Sequence, residues 1–167
     1  ALELFHHARE RGLTTVLEQT IAPMQIEKGI MEEEWQRFPD WEEGSCYGVA
    51  ADELAAREQR EWKAADRILC GSEFVRKGIG QCGGPADKAV VIPYVSALNV
   101  ECRMERKEAG NPLRVLFMGT VSLRKGVPYL LEAARLLKGR AAFRVVGPLA
   151  VTESAERELR RWVDVRG

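Results

Sequence analysis

The run Leu113-Arg114-Val115-Leu116-Phe117-Met118 constrains the fold more than any other stretch of the chain. Five of its six side chains are apolar and a glycine follows at once. It therefore reads as a strand of a parallel sheet, of the kind covered by helices on both faces. Gly119 to Gly126 is a loop. Val127, Leu130, Leu131, Ala134 and Leu137 then keep to one helical face, with Pro128 in the first turn, where its missing N–H is no loss, and Gly139 as the stop. Phe143-Arg144-Val145-Val146-Gly147 is a second strand. From Thr152 a charged helix turns Ala155, Leu159 and Trp162 to the core. Strand, helix, strand, helix with short links predicts a parallel, doubly wound sheet.

The same alternation runs upstream. Leu2, Phe5 and Ala8 open a helix that Gly12 stops, and Leu13-Thr14-Thr15-Val16-Leu17-Glu18 reads as a strand. Met24 to Phe38 is helical, ended by Pro39, with Glu32, Glu33 and Glu34 as its solvated face. Gly44 to Gly48 is a loop. Ala50 to Ala65 is a helix with a stripe of Leu54, Glu58, Glu61, Trp62 and Ala65. A short strand, Arg67 to Cys70, leads to Ser72, which is placed to cap a helix from Glu73 to about Gly80. Ala89-Val90-Val91-Ile92 is a further strand, closed by Pro93. Residues 94–112 mix Asn, charge and Gly-Asn-Pro with little apolar periodicity, as an interdomain linker does. The predicted architecture is α/β: two Rossmann-like parallel-sheet units, residues 1–93 and 113–167, joined by 94–112. The second unit is expected to supply two strands and two helices, a sheet with uncovered edges. Both units therefore read as incomplete, and the chain as the middle of a longer two-domain protein.

Composition excludes several classes. The chain is 46% apolar with 25 basic and 25 acidic side chains, which is globular and gives no basic face for nucleic acid. No apolar run approaches the roughly 20 residues of a membrane span, and the N-terminus has no secretory leader pattern. Cys46, Cys70, Cys82 and Cys102 are spread without a C-x-x-C pair, which fits reduced cytosolic thiols rather than a metal or disulfide framework. His6 and His7 are adjacent and splay apart on a helix, so no metal site is expected there. Residues 1–60 carry a net charge of −7 and residues 61–167 a net charge of +7. A positive C-terminal half suits a phosphate-bearing ligand, or simply the pairing of the two halves.

The stretch most informative about chemistry is Gly119-Thr120-Val121-Ser122-Leu123-Arg124-Lys125-Gly126. A strand–loop–helix junction offers backbone N–H groups and a helix dipole at the carboxyl edge of a sheet, where anionic ligands bind in open α/β folds. It is neither a Walker loop nor a dinucleotide fingerprint. A phosphate or diphosphate site and an ordinary βα-turn with two solvated basic residues both fit it. Ser72 is a helix cap rather than a nucleophile, because no histidine is placed to activate it. Glu58 and Glu61 are expected to pair with the basic residues of their own helix. The Trp35–Trp41 stretch fits aromatic core packing better than an acceptor cleft.

The run L-R-V-L-F-M-G-T-V-S-L-R-K-G-V-P-Y-L-L-E-A-A-R-L-L closely resembles the opening of the C-terminal domain of family 4 glycosyltransferases, which have the GT-B fold. Upstream, A-D-R-I-L-C-G-S-E-F-V and D-K-A-V-V-I-P-Y resemble the late segments of their N-terminal domain, and V-L-E-Q-T-I-A-P with E-E-W-Q-R-F-P-D-W-E resembles one branch of the family. The resemblance implies metal-independent sugar transfer from a nucleotide-sugar donor, with retention of configuration and no cofactor beyond the donor itself. It implies that Gly119, Thr120, Arg124, Lys125 and Gly126 hold the donor diphosphate, Lys125 matching the family lysine. The arginine usual just after the glycine is Thr120 here, and Arg124 stands near enough in sequence to replace it. The family's E-x7-E pair falls beyond residue 167 and its acceptor loop before residue 1, so no catalytic residue is assigned and the isolated chain is expected to be inactive. Where the family reads P-Y-G-V-D, this chain has Pro93-Tyr94-Val95-Ser96. The acceptor is left open among a glycan, a lipid and a small molecule, in the cytoplasm or at the inner face of a membrane, with no nucleic-acid partner. A noncatalytic phosphate-binding α/β module, or an inactive fragment that associates with a partner, is the alternative.

Overall fold

The computed structural model describes residues 1–43, 47–95 and 112–166. Most of the expected linker (96–111), the first three residues of the Gly44–Gly48 loop, Cys46 among them, and Cys102 lie outside those residues. The chain divides into two compact units, one of Ala1–Ile30 with Cys46–Asn99, the other of Met31–Ser45 with Val100–Gly167.

The first unit carries α1 (Leu2–Glu10), β1 (Val16–Gln19), the start of α2 (Met24–Arg37), α3 (Val49–Ala64), β2 (Arg67–Cys70), α4 (Glu73–Gln81) and β3 (Ala89–Val91). Its sheet has the order β1-β2-β3 and is parallel throughout, with Leu17 beside Ile68 and Leu69 beside Val90. The expected strands are present, with β1 starting at Val16 instead of in the Leu13-Thr14-Thr15 lead-in. Trp62, Ile68, Cys70, Val75 and Ile79 form the core. Ser72 caps α4, its Oγ accepting from the Val75 N–H at 3.3 Å. Cys70 and Cys82 are free and buried, and burial raises both thiols.

Two side-chain expectations for α3 fail. Leu54 is exposed; the core side of the helix is carried by Ala51, Trp62 and Ala64. Glu58 does not pair with a base of its own helix. It accepts from the Met24 N–H at 2.7 Å and from Gln19 Nε2 at 3.0 Å. Gln19 is buried at the end of β1, and its Oε1 accepts in turn from the indole of Trp62 at 3.0 Å. Burying an amide requires such partners, and Glu58 supplies one while satisfying an orphan donor at the start of α2. Glu61 behaves as expected, paired with Arg57 of its own helix.

At the opposite end of β1, Thr15 donates its N–H and its hydroxyl to Asp66 at 2.8 and 2.9 Å. The backbone bond first, and the hydroxyl second, hold the Asp66 carboxyl below the usual range. A lowered folded pKa gives stability that is complete above the unfolded value, about pH 4, and disappears as pH falls through the lower folded one. Thermal melts of Asp66→Asn across the acid range should therefore lose part of the acid-induced drop in stability seen in the parent. Superimposable pH profiles would contradict this assignment.

The second unit carries the end of α2, β4 (Leu113–Met118), α5 (Val127–Leu136), β5 (Ala141–Val146), α6 (Glu153–Arg160) and β6 (Asp164–Arg166). Its sheet has the order β4-β5-β6, again all parallel, with Val115 beside Phe143 and Val145 beside Val165. The α/β class and the two parallel, Rossmann-like sheets thus stand as expected, three strands in each. The third strand of this unit was not expected. The sequence reading runs the last helix through Trp162, whereas α6 ends at Arg160 and Val163, not Trp162, enters the core. Three residues with one inward valine give too short an alternation to register as a strand.

β4 is covered on one face only among the described residues, where the sequence reading expects both. Val115 and Phe117 pack with Val127, Leu131, Phe143, Val145 and Leu159, so α5 and α6 cover one face. Leu116 and Met118, on the other face, are 63% and 79% exposed, so β4 is not covered on both sides among the described residues.

Candidate functional site

The loop after β4 is built by alternation. Val121 and Leu123 are buried, at 0% and 2% exposure, and tie it to the core below; Thr120, Arg124 and Lys125 lie exposed between and beside them. Val121 donates to Pro148 O at 2.8 Å and Ala150 to Val121 O at 2.9 Å, so the loop runs parallel to the one after β5 and extends the sheet past its edge. The two loops meet at glycines. Gly119 donates to Val146 O at 2.9 Å, and Gly147 sits at φ +143° with no room for a side chain: a Cβ there would overlap the Gly119 carbonyl oxygen. Gly119 is at φ +139°, with open space around it. Both conformations are ones that side chains rarely adopt.

Leu123–Lys125 form one 3-10 turn, and Gly126, at φ +68° and ψ +26°, reverses the chain into α5. The first turn of α5 offers anions less than its position suggests. Val127 donates weakly to Ser122 O at 3.4 Å, Pro128 has no N–H, and Tyr129 donates to Gly126 O at 3.2 Å. Within the loop, Lys125 and Gly126 donate to Ser122 and Leu123 carbonyls. Among the described residues, the Thr120 and Ser122 N–H groups take no partner. The donors that remain among the described residues are those two amides and the exposed side chain of Lys125, with the exposed Arg124 beside it.

The sequence reading did not place the tail of α2 and its extension beside this loop, yet they are packed there. Phe38 meets Tyr129 edge-on with centroids 5.3 Å apart, and Trp41 packs against the second core. Thr152 fixes the segment from the other side: its hydroxyl donates to Asp40 O at 2.6 Å and its N–H to Trp41 O at 2.9 Å. The same hydroxyl caps α6 by accepting from the Ala155 N–H. Glu42 then extends to the loop, its Oε1 accepting from the Leu123 N–H at 2.7 Å. Glu34 is not a solvated residue either. Its Oε1 accepts from the Tyr129 hydroxyl at 2.8 Å, and Arg37 donates to the same hydroxyl at 2.5 Å. The bond to Glu34, and then partial burial, push the Tyr129 phenol up.

All five expected site residues therefore lie on the one loop between β4 and α5, at the carboxyl edge of the sheet, with Gly147 and Glu42 as neighbours that sequence reasoning missed. Gly147 closes a strand and had a visible signal; Glu42 had none, because its partner is 81 residues away. Among the described residues no group of three or more His, Cys, Asp or Glu side chains could hold a metal ion, and no helix is long and apolar enough to cross a membrane. Fold and loop together define the class: a parallel α/β protein with a glycine-bounded basic junction at a sheet's carboxyl edge. No protein-family model and no curated protein matches the sequence.

Proposed function

We propose that this chain is the central part of a glycosyltransferase that moves a sugar from a nucleotide-activated donor to an acceptor, and that Gly119–Gly126 binds the donor diphosphate. One observation carries the reading. A loop pinned by Val121 and Leu123 presents two N–H groups without a partner among the described residues, at Thr120 and Ser122, and two exposed cations, Arg124 and Lys125. Such groups favour an anion, and a fixed set of donors favours most the atom on which charge grows. In sugar transfer the bond from the anomeric carbon to the diphosphate oxygen breaks, and the electron pair leaves with the nucleoside diphosphate. The acceptor oxygen forms the new bond to that carbon, and its proton passes to the departing diphosphate, which the broken bond has left more negative. Lys125, with Arg124, would stabilise the departing diphosphate. The family resemblance supplies the sugar and the nucleotide, and retention and metal independence rest on it alone.

A noncatalytic phosphate-binding module is the second reading, favoured by the same loop donors, which by themselves bind an anion without any reacting group. A panel of radiolabelled nucleotide sugars tests both. Residues 1–167 are expected to retain at least one donor on a filter without releasing nucleoside diphosphate when an acceptor is added, because the family's glutamate pair and acceptor loop are not among them. Acceptor-dependent release would contradict the assignment of those parts to other residues, and retention of none of the donors would contradict the transferase reading.

A further inference from the structure

We propose that Glu42 is an internal competitor for the loop, and that residues 38–42 form a latch which an anionic ligand must open. This rests on the reading of Gly119–Gly126 as an anion site. The Glu42 carboxylate already holds one loop donor, the Leu123 N–H, at 2.7 Å. That donor lies between Ser122, whose N–H has no partner among the described residues, and the cations Arg124 and Lys125. A carboxylate and a diphosphate are both anionic acceptors. They cannot share one N–H, and placed side by side they repel.

Glu42 is not a loosely draped side chain. The carbonyls of Asp40 and Trp41 are both held by Thr152, at 2.6 and 2.9 Å, Trp41 packs on the core, and Phe38 packs on Tyr129. The latch is thus an ordered element with its own contacts, and leaving it is a discrete step. A site closed for most of the time binds with an affinity reduced by the open fraction, so a latch closed about ten to one weakens binding about tenfold. Linkage runs both ways: the ligand that gains from opening the latch must also undock Trp41.

An NMR titration of the chain with inorganic pyrophosphate at constant ionic strength tests this, comparing wild type, Glu42→Gln, Glu42→Ala, Glu43→Gln and Lys125→Ala. Glu42→Gln, which keeps a neutral acceptor for the Leu123 N–H but removes the repulsion, should bind tighter than wild type, and Glu42→Ala, which removes both, about tenfold tighter. In wild type the Trp41 indole signal should shift together with the amides of Thr120 and Ser122. Glu43→Gln removes the same charge next door and should change affinity less than about twofold. If Lys125→Ala weakens binding while Glu42→Gln does not tighten it, the loop reading stands and the competitor does not. Equal tightening by Glu43→Gln would also overturn it, as a general charge effect. If neither the loop amides nor Lys125→Ala respond, the loop reading itself fails and takes this inference with it.

Discussion

Gly147→Ala should disorganise the loop and destabilise the second unit. Two costs combine. An alanine forced to φ +143° leaves its allowed region, at about 1–3 kcal/mol. Its Cβ would also overlap the Gly119 carbonyl, with the carbonyl carbon only 2.8 Å away, and relief of such overpacking costs about another 1–3 kcal/mol. The neighbour is backbone, so no side chain can rotate aside. Gly119→Ala is the informative comparison, since it meets the same backbone restriction in open space and should cost the first amount without the second. Denaturant melts of the two variants give the difference directly. Equal stability losses would show that the two loops do not meet as closely as Gly147 requires.

Lys125→Ala should leave the fold intact and cost binding. The side chain is exposed and supports no core, so melts should hardly change. A charge-assisted hydrogen bond to a phosphate contributes about 1.5–3 kcal/mol, which is about a 10- to 200-fold loss in nucleoside diphosphate affinity. Arg124→Ala separates two roles for its neighbour. A loss of similar size makes Arg124 a second ligand of the diphosphate; a loss below about twofold leaves it as surface charge. Unchanged affinity in Lys125→Ala with an intact fold would remove the loop from the donor site.

Much of the fold was legible because its signals are local. Apolar runs of four to six residues bounded by glycine or proline define β2, β4 and β5, and Ser72 marks the start of α4 by itself. The strand–loop–helix junction could be placed to the residue, since Gly119 and Gly126 bound it and Val121 and Leu123 alternate with polar neighbours. Short elements with a single inward side chain could not: β6 shows only Val165. What was least legible is what the loop touches. Periodicity says which face of α2 is apolar, but it does not say that Glu34 meets Tyr129, or that Glu42 reaches a backbone amide 81 residues on. Those contacts are set by tertiary packing of Phe38, Trp41 and Thr152, and no pattern within a window of residues encodes them.

The central claim, that the turn at Gly119–Gly126 receives the diphosphate of a nucleotide sugar, is tested most directly by saturation-transfer NMR on a panel of nucleotide sugars differing in base and sugar. At least one nucleotide sugar should receive saturation from the chain, its signal should be lost on adding inorganic pyrophosphate, and the transfer should fall sharply in Lys125→Ala. Transfer that is absent across the panel, or that persists unchanged in Lys125→Ala and under pyrophosphate, would contradict the account.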